Sequence, residues 1–164
     1  MFGDMKIKMD YGSEGLEIEV PETASILRMR DTPRVEDVGR EIEKSLMEPI
    51  GTPSLPKLAQ GRKDACIVIS DITRPVPNKI LLPPILRILE DQGIARENIV
   101  ILIGTGLHRP NEGEELNLLV GVDIAQKYRV VNHRAKEKQT LTYIGDTSVG
   151  APIWIDSILS LIHI

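Results

Sequence analysis

The chain has 164 residues with 20 Lys and Arg against 24 Asp and Glu, and its net charge of −4 excludes a protein that tracks a phosphate backbone. Aromatic residues make up 3%, too few rings for stacking single-stranded bases, while 41% hydrophobic and 27% charged residues match an ordinary globular chain of about one domain. No apolar run reaches the roughly 18 residues of a membrane span, and the start Met1-Phe2-Gly3-Asp4 lacks the basic-then-apolar form of a secretion leader, so the expected compartment is the cytoplasm.

Residues 5–20 read as a β-hairpin: Met5, Ile7 and Met9 alternate with Lys6 and Lys8, and Leu16, Ile18 and Val20 with Glu17 and Glu19. Pairing Met9 with Leu16 sets Lys8 opposite Glu17 and Lys6 opposite Glu19 on the solvent face. A short strand is expected over Ala24–Met29. Thr32 and Pro33 then form a cap and first-turn proline for a helix carrying Val35, Val38, Ile42 and Leu46 on one face and ending near Pro49. Gly51 to Pro56 is a turn-rich connector with a short helical turn after it.

From Ala65 the pattern becomes βαβ. Ala65–Ser70 and Ile99–Ile103 are continuous apolar strands, as in a parallel sheet covered on both faces, and Leu82–Gln92 is the helix between them. Pro83 and Pro84 belong to an opening turn, which places the helix start near them, with a looser turn from Asn78. Asn111, with Glu114 three residues on, caps a helix running to Val120, and Asp123 caps a shorter one to Tyr128. Arg129–Asn132 is a third strand, and Leu141–Ile144 and Ile153–Ile155 flank the turn Asp146–Gly150. The stretch 156–164 is apolar without a cap or turn signal and reads as a tail at which the chain is cut. The single cysteine, Cys66, lies in a strand as a buried, inert thiol.

Two loops leave the carboxyl ends of the two apolar strands, the edge at which open α/β sheets bind ligands. Ser70-Asp71-Ile72-Thr73-Arg74-Pro75-Val76-Pro77 offers a carboxylate, a hydroxyl and a guanidinium able to grip a carboxylate or phosphate in a fork. Gly104-Thr105-Gly106-Leu107-His108-Arg109-Pro110 offers glycines that let backbone N–H groups approach an anion, and an imidazole base. Arg109 stands where a dinucleotide fingerprint needs its third glycine. Spacing alone therefore gives an anion-binding pocket with a general base. His133 reads as a structural histidine, Lys136 and Lys138 as solvated, and His163 takes no role; no residue cluster has metal-ligand spacing.

These two loops, with Glu43–Gly51 and Gly145–Ile153, resemble the N-terminal domain of the nickel-dependent lactate racemase family over residues 5–155. The resemblance implies an α/β fold with a Rossmann-like parallel βαβ core and an antiparallel N-terminal hairpin, in a racemase or epimerase of 2-hydroxy acids that uses a nickel-pincer nucleotide. It implies His108 as a catalytic base and Arg74 as the holder of the substrate carboxylate. Asp71 is then a pocket residue that contacts the cofactor or orients the site, and Thr73, Gly104, Thr105 and Gly106 shape the cofactor wall. The second histidine base, the cofactor-anchoring lysine and the nickel-ligating histidine belong to a later segment, so the chain alone is expected to be inactive and to need that C-terminal domain as its partner. The rival reading is a non-catalytic nucleotide- or phosphate-binding module.

Overall fold

The structure is a computed structural model that describes residues 4–12 and 14–161; His163 lies outside them. The chain divides into two compact units, one up to Arg34 and one from Val35 onward.

In the first unit, β1 (Asp4–Met9) and β2 (Leu16–Pro21) pair antiparallel in the expected register, Met9 with Leu16, Lys8 with Glu17 and Lys6 with Glu19. Lys6 Nζ reaches Glu17 at 3.2 Å and Glu19 at 3.7 Å, exposed pairs that favour the register more than they add stability. The strand expected over Ala24–Met29 is absent: the segment is irregular, and Leu27 and Met29 are almost fully exposed. Its residues do not alternate, and neither edge of the two-stranded sheet takes it up.

The second unit opens with α1 (Val38–Met47), whose start lies past the expected Thr32-Pro33 because the Asp37 carboxylate accepts the Arg40 N–H at 3.0 Å and so supplies the cap. Helix α2 (Leu55–Ala59) follows the proline-rich connector. The sheet consists of β3 (Ala65–Ser70), β4 (Ile99–Gly104) and β5 (Arg129–Asn132), parallel and in the order β3-β4-β5. Consecutive order means that these strands contain no reversal point of the kind that opens a crevice in doubly wound sheets. The ligand edge is formed by the loops themselves.

Helix α3 (Asn78–Asp91) crosses from β3 to β4, and α4 (Glu114–Val120) with α5 (Val122–Lys127) crosses from β4 to β5. Helix α3 begins at Asn78, ahead of the expected start, with Pro83 and Pro84 inside it. The carbonyls these prolines leave without a helical donor belong to Lys79 and Ile80, exposed residues at which water can take the bond, while Leu82, Leu86 and Leu89 are buried on the other side. Those leucines join Ile69, Ile99, Ile101, Ile103, Leu119, Val120 and Ile124 in one core cluster. Each such side chain contributes roughly 1.5–3 kcal/mol when fully buried.

β4 is buried along both faces, as a central strand should be, but Val68 on β3 is 54% exposed. The expectation of a sheet covered on both faces thus fails at this edge strand. Strands β6 (Leu141–Asp146) and β7 (Pro152–Asp156) form an antiparallel pair around the expected turn, and α6 (Ser157–Leu161) follows. At Asp156, where the stretch read as a tail begins, the side chain is buried and its carboxylate accepts the Ile158 N–H at 3.0 Å as a helix cap does. No helix among the described residues is long and apolar enough to cross a membrane.

Candidate active site

The parallel register sets Ser70 beside Gly104, so the loops that follow β3 and β4 leave the sheet side by side. In the first, the Asp71 carboxylate turns back on its own loop: Oδ1 accepts the Thr73 N–H at 3.1 Å and the Thr73 hydroxyl at 2.6 Å. This is the local closure Asp favours in turns, and it fixes the carboxylate before any partner arrives. The turn is tightened by the Arg74 N–H, which donates to the Asp71 carbonyl at 3.2 Å.

In the second loop, Gly106 takes φ +57°, a left-handed conformation that bends the chain back so that the His108 N–H reaches the Thr105 carbonyl at 3.0 Å. A side chain at Gly104 would meet the Ile69 carbonyl at 3.4 Å, so glycine there suits the close passage of the two strands. The turn swings the imidazole across to the neighbouring loop, where His108 Nδ1 stands 2.5 Å from Asp71 Oδ2.

Asp71 is buried, and the Thr73 hydroxyl first, then His108, hold its carboxyl below the usual carboxylate range against the opposing effect of burial. An ionised carboxylate only accepts hydrogen bonds. The proton between the two groups therefore belongs to Nδ1, and the neutral ring carries its lone pair on Nε2. Sequence reasoning placed both residues on one rim, with Asp71 either contacting a cofactor or orienting the site; the structure brings Asp71 directly onto His108.

A cavity of about 390 Å³ opens at this edge, lined by Ser70, Asp71, Arg74, Gly104, Gly106 and His108, among others. Arg74 is exposed, and among the described residues its guanidinium has no ion-pair partner. A fixed hydrogen-bond acceptor and an unpaired cation thus share one cavity. Thr105 lines the same cavity, and the hydroxyls of both threonines are hydrogen-bonded within the protein: Thr73 to Asp71, and the buried Thr105 to the His133 carbonyl at 2.5 Å.

On the far side of His108 lies a second cavity of about 340 Å³, which His133 also lines. His133 is held at three points: its N–H donates to Ile103 at 2.9 Å, its carbonyl accepts from Thr105, and its Nδ1 faces Asp156 Oδ2 at 2.9 Å. Arg109 is bound in a fork by Glu115, at 2.5 and 2.6 Å, and Arg134 by Glu137 at 2.9 Å, so neither is a free cation.

Cys66 is half-buried, and burial first, then the nearby Asp156 charge, push its thiol up, away from the reactive thiolate. Asn111 and Asn132 were not legible as site residues. Asn111 read as a helix cap, but α4 begins after Gly113, and Asn111 is instead buried between the two loops and the end of β5. Its one sequence signal was an asparagine directly after a proline.

No three His, Cys, Asp or Glu side chains among the described residues converge as metal ligands. Asp71 and His108 come together, but each is already the other's partner.

The lactate racemase N-terminal domain family matches residues 11–160. A lactate racemase from Thermoanaerobacterium thermosaccharolyticum is 31% identical over 93% of this chain and 36% of its own length. Another from Lactiplantibacillus plantarum is 38% identical over 71% of the chain and 27% of its own length. The chain thus spans about a third of the curated relatives it matches. The structure of the lactate racemase apoprotein from T. thermosaccharolyticum superposes with a TM-score of 0.81 at 29% identity, covering 96% of this chain and 37% of that one. A Thermotoga maritima structure, at 19% identity and a TM-score of 0.53 over 74% of this chain and 30% of its own, shares the fold.

Proposed function

The chain belongs to the lactate racemase family as its N-terminal domain, and from that premise we propose that it carries the substrate grip and one proton-transferring base of a racemase or epimerase of 2-hydroxy acids. The observation that supports this most directly is the His108–Asp71 pair at 2.5 Å, on the rim of a cavity that also holds the unpaired Arg74.

Each part has a task. The Arg74 guanidinium binds the substrate carboxylate through two parallel N–H···O bonds, which fixes both position and orientation. With Nδ1 engaged by Asp71, His108 Nε2 takes the proton of the C2 hydroxyl and later returns it. Asp71 keeps the ring in that tautomer and stabilises the imidazolium while it lasts, as an orienting carboxylate does in other acid–base sites. The Thr73 hydroxyl holds Asp71 in place. Gly104 and Gly106 leave the cavity wall open where the cofactor side of the pocket is expected.

The donor set described here does not fit a resident nickel ion, since it lacks three converging ligands. The nickel-pincer nucleotide implied by family membership would meet this chain at the Asp71, Gly104 and Gly106 side of the cavity, with its metal ligand and anchor supplied by other residues, and no step is routed through it. Racemisation is proposed for the whole protein, of which this chain is about a third by the length of its relatives.

The test is racemisation of a single enantiomer of lactate by the full-length, cofactor-loaded protein. Loss of activity in His108→Ala with unchanged folding supports the reading. Retained activity overturns it, and binding of an adenine mononucleotide by such a protein would favour a binding module instead.

A further inference from the structure

In the Asp71–His108 pair the carboxylate is buried but the imidazole is half exposed, and a hydrogen bond that water can reach from one side does not by itself hold two loops together. Among the described residues, one other hydrogen bond joins these loops directly: the Ile72 N–H donates to the Asn111 side chain.

Asn111 is 2% exposed and uses both its backbone and its side chain. Its backbone pairs reciprocally with the Asn132 side chain: the Asn111 N–H donates to Asn132 Oδ1 at 2.8 Å, and Asn132 Nδ2 donates to the Asn111 carbonyl at 2.9 Å. This pins the end of the His108 loop to the end of β5. The side chain then divides in two. Its Oδ1 accepts the Ile72 N–H at 3.2 Å, and its Nδ2 donates to Glu115 Oε2 at 3.3 Å.

Ile72 directly follows Asp71, and Glu115 is the residue that holds Arg109, directly after His108, in a fork. The Asn111 amide is therefore bonded one residue away from the carboxylate on one side and, through Glu115, one residue away from the imidazole on the other. An amide is suited to this place because it offers an acceptor and a donor a short distance apart, both of which are used.

We propose that Asn111 is the positioning residue of the site: it sets the spacing of the Asp71 and His108 loops, and thereby the ring tautomer and the separation of His108 from Arg74. The inference rests on the Asp71–His108 reading above and extends it to a residue that touches neither substrate nor reacting atom. The side chain lies between two backbones, so its loss lets one loop slide relative to the other while the sheet beneath stays paired. Misplacement of a reacting group by about 1 Å can cost on the order of 10²-fold in rate.

The experiment uses the full-length protein labelled with ¹⁵N, in which imidazole nitrogen shifts report the tautomer of His108. Wild type should show His108 as the Nδ1–H tautomer. Asn111→Ala should give a mixture of tautomers and a kcat for lactate racemisation lower by about 10²-fold. His133, whose partner Asp156 is independent of the Asn111 side chain, should be unchanged. Asn111→Asp keeps the acceptor for Ile72 but sets a second carboxylate against Glu115 Oε2, so it should not restore the wild-type tautomer; full restoration would overturn the need for both a donor and an acceptor at this place. If Asn111→Ala does not fold, Asn111→Ser, too short to span to Ile72, gives the same readouts.

Asp71→Asn is the control that separates this inference from the reading beneath it. A change in tautomer in Asp71→Asn but none in Asn111→Ala overturns the positioning role and leaves the pair standing. No change in either overturns both.

Discussion

Asp71 and His108 lie 37 residues apart in the chain and 2.5 Å apart in space, because Asp71 directly follows β3 and the turn after the adjacent parallel strand β4 carries His108 back across to it. The carboxylate is fixed by Thr73, so the imidazole is held rather than holding. In the full-length protein, His108→Ala should lower kcat for lactate by ~10²–10⁴-fold, the range that general-base catalysis contributes. Asp71→Asn should retain substrate KM and lower kcat, since a neutral amide stabilises the imidazolium less than a carboxylate does. Chiral quantification of lactate against time checks both, and a large rise in KM with kcat intact would assign His108 to binding instead.

Arg74 gives a contrasting expectation. Arg74→Lys keeps the charge but replaces a planar fork with a single ammonium, so binding should weaken by the worth of one charge-assisted hydrogen bond, about 1.5–3 kcal/mol or roughly 10- to 150-fold in KM. Arg74→Ala should be weaker still. Kinetics indistinguishable from wild type in Arg74→Lys would mean that the guanidinium does not grip the carboxylate in a fork.

The Asp71 carboxyl also ties stability to pH. Thr73 and His108 lower its proton affinity in the folded state, whereas unfolding returns it to the ordinary value of about 3.9. The unfolded chain therefore binds this proton more readily. The stabilisation is complete above the unfolded value and is lost as pH falls through the folded one. The stability gap between wild type and Asp71→Asn, read from urea unfolding, should be present at about pH 5 and shrink as pH falls below about 4. Thr73→Val removes the largest cause of the shift, so it should raise the Asp71 carboxyl toward the ordinary range, as ¹³C carboxyl shifts would report. A gap that widens as pH falls below about 4 would contradict the assignment.

How far these features were legible depended on whether the determining interaction was local. The hairpin register followed from alternation and charge, and Ala65–Ser70 and Ile99–Ile103 announced themselves as buried strands; each signal lies within a few residues. Helix α3 was misjudged at its start because two prolines normally mark a helix's first turn, and only the burial of Leu82, Leu86 and Leu89 shows what offsets the lost bonds. The site was legible as a rim that assembles Asp71, Arg74 and His108, since strand polarity alone places loop residues there. The Asp71–His108 contact, the buried Asn111 and the Asp156–His133 pair were not, because each joins residues between 23 and 39 positions apart through side-chain direction, which periodicity does not encode.

The sheet itself offers the last expectation. Both site loops are anchored where β3 and β4 end, so the site depends on the packing of the face that carries Ile101, a fully buried residue paired with Ile67 on β3 and Val130 on β5. Ile101→Ala leaves a cavity between sheet and helices and should cost ~2–5 kcal/mol. Val68, on β3 and half exposed, bears no such load, and Val68→Thr in this chain should change stability by no more than about 0.5 kcal/mol. Urea midpoints with unchanged m-values measure both. Comparable losses in the two variants would mean that the β3 face is covered after all, and that the parallel sheet is packed on both sides as its apolar strands first suggested.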